Sequence, residues 1–209
     1  MSVTLVLSSL IGGILTGAEG IITGLMYSYG YLALFVLMVL ESASLPIPSE
    51  VVIPIAGLLA AKGVFNAYAA FAVMLVAGII GITIDYYIAY YLGKDVVYKH
   101  LGMLHIKKEH LEAFDRWFER NGAFTVSVGR LLPEIRGLVS LPAGFAEMPR
   151  RKFYAYSIAG MAVWEAALMV FGYYALNAHS AYVVMVAVAL FAIVLYAVFR
   201  IGMKRMSSG

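Results

Sequence analysis

The sequence predicts an all-α membrane protein. It would have about four transmembrane helices, two re-entrant hairpins of opposite orientation and one interfacial amphipathic helix. Three observations lead there. Of 209 residues, 63% are hydrophobic and only 13% are charged, too little charge to cover the surface of a soluble domain. Apolar stretches of two lengths occur, some near the roughly 20 residues that cross a hydrocarbon core and some well short of it. The short ones also hold prolines and paired charges. Backbone broken in this way is tolerated at membrane depth only where it lines a cavity or is buried in protein.

The elements form one membrane domain over 1–209. Residues 1–26 are apolar and glycine-rich and read as an N-terminal helix, interrupted by Glu19. No Lys or Arg precedes Lys62, so the basic start of a secretory leader is missing and Met1 is expected to be the mature start. Residues 27–65 comprise a first span, YSYGYLALFVLMVL over 27–40, and a first hairpin. That hairpin reads ESASLPIPSEVVIPIAG from Glu41 to Gly57, and Pro46, Pro48, Pro54 and Gly57 shape it. Proline lacks the N–H and clashes with the preceding turn, so a plain spanning helix is excluded here.

Residues 66–93 form a second span that contains Asp85. Residues 94–121 are abruptly charged, while Leu111, Phe114, Trp117 and Phe118 recur at helical spacing. This is the interfacial amphipathic helix. Residues 122–149 make the second hairpin, shaped by Pro133, Pro142 and Gly144. Residues 150–203 supply two more spans, with Glu165 in the first of them, and 204–209 are a tail. With both hairpins returning to their own face, the 94–121 segment, the Arg150–Lys152 cluster and the C-terminus share one side. The positive-inside rule makes that side cytoplasmic, in a multi-pass protein of the cell membrane.

The two short segments look like a pair. The first carries Glu41 and Glu50, the second Arg130 and Arg136, and each ends in a proline just before Ala-Gly. Inverted repeats with broken helices are a transporter design. Two acids and two arginines can neutralise each other if the hairpins meet near the midplane, and an arginine fork suits a phosphate. From charge pattern alone, a transport site and a mere pin between hairpins are equally good readings.

Other functions find little support. There is no cysteine, hence no disulfide framework and no thiolate metal site. The formal charge of +3 is too small to suggest nucleic acid. His100, His105 and His110 recur every five residues, which spreads them around a helix and does not build a metal site. Neither His-Glu-x-x-His nor Gly-x-Ser-x-Gly occurs. The expectation is a protein without enzymatic activity, cofactor or metal. A homo-oligomer is compatible with the sequence.

The residues of the two hairpins resemble the DedA family, also described as the SNARE-associated or VTT-domain family. The first match is Glu41, Pro48-Ser49-Glu50 and Ala56-Gly57. The second and more specific one runs through Gly129, Arg130, Pro133, Arg136, Ser140, Ala143, Gly144, Met148 and Phe153. Gly160, Trp164 and Gly172-Tyr173 continue the pattern, and the likeness covers roughly 27–176. Glu134 departs from it, adding a carboxylate between the arginines, and Asp85 falls outside its spacing.

The resemblance implies membrane lipid transport: return of undecaprenyl-type polyprenyl phosphate carriers, or phospholipid flipping, with dependence on the proton motive force. On that reading Arg130, Arg136 and Ser140 hold an anionic phosphate head-group, and Glu41 and Glu50 exchange protons. Asp85, Glu134 and Glu165 are additional candidates, the last needing a partner inside its span. The alternatives are a phospholipid scramblase or flippase, and a proton-coupled antiporter of small cations; the arginines argue against the second.

Overall fold

The computed structural model describes residues 17, 19–100, 118, 121–132 and 136–174, the side chains of 93–100 excepted. Among the described residues all regular structure is helical. In chain order the elements are α1 (19–29), α2 (Tyr31–Ser42), α3 (Ser49–Ala61), α4 (Ala67–His100), α5 (121–129), α6 (Ser140–Phe145) and α7 (Arg150–Tyr174).

Among the described residues two helices are long and apolar enough to cross a membrane: Ala67–Leu92, within α4, and α7, of 26 and 25 residues. At 1.5 Å per residue each exceeds about 35 Å, more than the hydrocarbon core. Asn66 starts α4, its side-chain oxygen accepting from the Ala69 amide at 3.0 Å. Val76, Ile80, Ile84 and Ile88, four residues apart, are all exposed and form one apolar stripe on α4. Its other face, with Met74, Ala77, Ile82 and Asp85, is buried.

α2 and α3 are short, at 12 and 13 residues. The sequence suggested one unbroken helix over 27–40. The structure instead breaks the chain at Gly30, whose φ of 59° and ψ of −133° suit only glycine, and carries α2 on to Ser42. Glu41 therefore sits in the last turn of a helix and not in a loop. Pro54 lies inside α3 and leaves the Glu50 carbonyl without its intrahelical donor. Pro142 falls in the first turn of the six-residue α6, where its missing N–H costs nothing.

Packing brings these short helices onto the long ones: α3 onto α7, α2 onto α4, and α6 onto α4. Glycines set the approach. A Cβ on Gly57 would lie 2.8 Å from the Tyr173 amide nitrogen and closer still to the Met169 carbonyl. A Cβ on Gly144 would lie 2.7 Å from Ala89 Cβ. One apolar core, including Leu34, Met38, Ile53, Leu59 and Leu168, joins α2, α3, α4 and α7. A second, around Ile82, Tyr86, Val126, Ala143 and Phe153, holds the second proline segment to α4 and α7. The amphipathic stretch beyond His100, apart from Phe118 and Asn121, and the last expected span, 181–199, lie outside the described residues, as do Pro133 and Glu134.

Candidate functional site

The polar groups converge where the two proline segments come together between α4 and α7. The last turn of α2 supplies Glu41 and Ser42, and the turn after it Ser44. α4 supplies Asp85. Arg130 follows α5, Arg136 and Gly137 lie in the turn before α6, and Ser140 opens α6. α7 contributes Met161, Trp164 and Glu165 from a face that also buries Ser157, Gly160 and Leu168 at helical spacing. Gly160 lets Arg130 pass, since a Cβ there would lie 2.7 Å from the arginine's own Cβ.

Five ionisable side chains are buried here: Glu41, Asp85, Arg130, Arg136 and Glu165, none more than 9% exposed. The Arg136 guanidinium holds Glu41, Nε donating to Oε1 at 3.0 Å and a second N–H reaching the same oxygen. Ser42 donates to the other Glu41 oxygen at 3.1 Å. Arg136 also lies over the Trp164 ring, 5.4 Å from its centroid.

Arg130 is held differently. It donates to the Arg136 carbonyl and to Ser140 Oγ, both at 2.5 Å. Its Nε has no partner, and among the described residues no carboxylate pairs with it. Among the described residues its direct partners are neutral oxygens, and the nearby carboxylates Glu41 and Asp85 act on it only at longer range. The described site is thus one ion pair beside one arginine without an ion pair of its own.

The acids divide. Asp85 accepts from Ser44 Oγ, whose single proton is shared with the Gly137 carbonyl at 3.2 Å. Ser44 ties α4, the first proline segment and the second at one point. It does so from a left-handed backbone, φ 58°, that a serine adopts only when its surroundings demand it. Glu165 is 2% exposed, and its Oε2 has no partner among the described residues.

Two cavities meet at the ion pair. An inner void of about 10 Å³ is bounded by Glu41, Ser42, Arg130, Arg136, Trp164 and Glu165, among others. That is scarcely room for one water. An outer groove of about 200 Å³ runs past Ser44, Pro46, Ile47, Ser49, Glu50 and Leu138. Glu41, Arg136 and Gly137 border both, so the pair is the partition between them.

Of the residues singled out from sequence, Glu41, Arg130, Arg136 and Ser140 are brought together, with Glu165 on the same void and Asp85 one hydrogen bond away through Ser44. Glu50 is not. It is exposed at the start of α3, lines only the groove and has no ion pair among the described residues. Pro46 lines the groove and Pro48 precedes α3. The sequence reading gave no site role to Ser42, Ser44, Gly137 or Trp164. Ser44 had one signal, its place in a serine-rich turn just before Leu45-Pro46. Among the described residues no three His, Asp or Glu side chains are grouped to hold a metal ion.

The VTT domain family matches residues 47–174 of the chain. Undecaprenyl phosphate transporter A of Staphylococcus aureus is 28% identical over 199 residues, covering 90% of this chain and 98% of its own. The protein of the same name in Bacillus subtilis is 34% identical over 123 residues, 57% of this chain and 60% of its own. An uncharacterized membrane protein of B. subtilis, YbfM, is 26% identical over 140 residues, 67% of this chain and 86% of its own. No solved structure matches the chain.

Proposed function

The chain belongs to the VTT-domain (DedA) family of membrane proteins, and on that premise we propose that it carries a polyprenyl phosphate lipid across the cell membrane. The observation that carries this reading is Arg130, a buried cation that has no carboxylate partner among the described residues and lies beside the Glu41–Arg136 pair. The transporter names of the two relatives support the same class of substrate.

The head-group enters the outer groove, whose volume accommodates a phosphate, and meets Arg136 there. It competes with Glu41 for that guanidinium, and Arg130 and Ser140 complete the phosphate's hydrogen bonds from within. Arginine provides paired N–H donors in a plane that matches two phosphate oxygens. The prenyl tail stays in the bilayer throughout, so the protein shelters only the charged end. No bond is made or broken. α3 and α6 are re-entrant arms that enter from opposite faces, and their relative rocking exposes the head-group to one side and then the other. Glu41, released from Arg136 when phosphate arrives, exchanges a proton and so couples transport to a proton gradient. The Arg150–Lys152 cluster lies on the cytoplasmic side.

The test is reconstitution into liposomes with fluorescent polyprenyl phosphate, phosphatidylethanolamine and phosphatidylglycerol under an imposed pH gradient. The expected result is movement of the polyprenyl phosphate alone, lost in folded Arg130→Ala. Movement of the phospholipids instead would make the protein a phospholipid flippase. A lack of movement of every lipid would overturn the transport reading.

A further inference from the structure

Glu165 is a buried acid for which the transport cycle above has no use. Its position is specific. It lines the inner void together with Glu41, Arg130 and Arg136, and its Oε2 is unpartnered among the described residues. Gly78 of α4 keeps that side open, a Cβ there falling 3.4 Å from Glu165 Oε1. The residue before it, Trp164, carries the Arg136 guanidinium on its ring. Arg136 therefore borders one void with two carboxylates, engaged with Glu41 and resting on the ring of the residue before Glu165.

The charged groups around Glu165 can be placed among the described residues. α2 presents Glu41, already held by Arg136 and Ser42. α4 presents Gly78, and its buried acid Asp85 is engaged by Ser44. Arg130 comes from the end of α5 and is spent on the Arg136 carbonyl and Ser140. α3 offers only the exposed Glu50. Among the described residues, Arg136 is thus the cation placed to reach Glu165 without breaking the Arg130 contacts.

We propose that Glu165 is the second carboxylate partner of Arg136, and that the guanidinium alternates between Glu41 at the groove and Glu165 at the void. This rests on the transport reading and adds the group that receives Arg136 once a head-group has displaced Glu41 from it and departed. An unpaired carboxylate in such surroundings is far costlier than a carboxylic acid, so Glu165 carries a proton while Arg136 is on Glu41. When Arg136 swings to Glu165, that proton leaves through the void. Glu41, now without its cation, takes one up from the groove. The charge of the chamber is unchanged, and one proton has been taken up on one side of the partition and one released on the other. The reverse swing restores both. Glu165 acts on the lipid only through Arg136 and is a positioning residue.

Two readouts test this on the full-length protein. In liposomes, Glu165→Gln is expected to flatten the dependence of polyprenyl phosphate flipping on pH, and Glu165→Asp to retain it. In lipid nanodiscs, infrared difference spectra across a pH step are expected to show a protonated-carboxyl band that Glu165→Gln removes and Glu165→Asp shifts. A wild-type pH profile in Glu165→Gln, or a carboxyl band unchanged by both substitutions, would overturn the proposal. If the wild-type protein flips nothing, the transport reading fails while the infrared band still decides whether Glu165 exchanges a proton.

Discussion

The two proline-broken segments share a geometry and divide the chemistry. α3 and α6 each open on a buried serine, Ser49 and Ser140, and each carries a proline followed by a glycine, Pro54 with Gly57 and Pro142 with Gly144. Each glycine lies against a different long helix, Gly57 against α7 and Gly144 against α4. The charges are arranged otherwise. The first segment splits its acids, Glu41 buried and Glu50 exposed on the groove, whereas the second keeps both arginines inside. The groove thus presents Glu50, Glu41 and Arg136 together, whereas Arg130 borders only the inner void.

The comparison breaks most severely at its junction. Arg136→Ala leaves Glu41 buried without its cation, and losing one partner of such a pair costs about 3–5 kcal/mol. The expected outcome is a large fall in thermal stability together with loss of transport, measured by melting in detergent and flipping in liposomes. Glu41→Gln with Arg136→Met, which removes both charges, should recover much of the stability and none of the transport.

Next come the glycine contacts. Gly57→Ala and Gly144→Ala each press a methyl onto backbone or a neighbouring Cβ, at about 1–3 kcal/mol of overpacking. Equal penalties would sharpen the likeness between the arms. A penalty at only one would break it.

Ser44 gives a smaller effect with a built-in control. Ser44→Ala removes the donor to Asp85 and keeps a Cβ in the left-handed region, and a buried acceptor left unsatisfied costs about 1–3 kcal/mol. Ser44→Gly loses the same bonds but relieves the backbone strain, so it should be the more stable of the two by about 1 kcal/mol. Chemical denaturation of both variants checks the order. Smallest is Glu50→Gln, expected to leave stability within about 0.5 kcal/mol of the parent, as for other exposed positions.

Much of this was legible in the residues. The composition and the two run lengths gave a helical membrane protein; the charge pattern grouped Glu41 and Glu50 with Arg130 and Arg136, the family resemblance added Ser140, and the fold brings all of these but Glu50 close together. Pairing by charge could not tell that Glu50 would stay at the groove, because its position depends on α3 starting at Ser49 after the Pro46–Pro48 turn. Nor could it see that Glu41 lies in the last turn of a helix, which follows from the break at Gly30. Glu165 was marked as a lone carboxylate inside a span, but that it and Trp164 face this site follows from the packing of α7, which no local pattern gives. Ser44 matters through a backbone angle, which sequence signals only weakly.

The most direct measurement is binding of a polyprenyl phosphate and of the matching uncharged polyprenol to the protein in lipid nanodiscs, by native mass spectrometry. The account predicts retention of the phosphate and release of the alcohol, with affinity for the phosphate falling about 10–100-fold in Arg130→Ala, as for losing a charged hydrogen bond of roughly 1.5–3 kcal/mol. Equal retention of both lipids, or full affinity in Arg130→Ala, would contradict it.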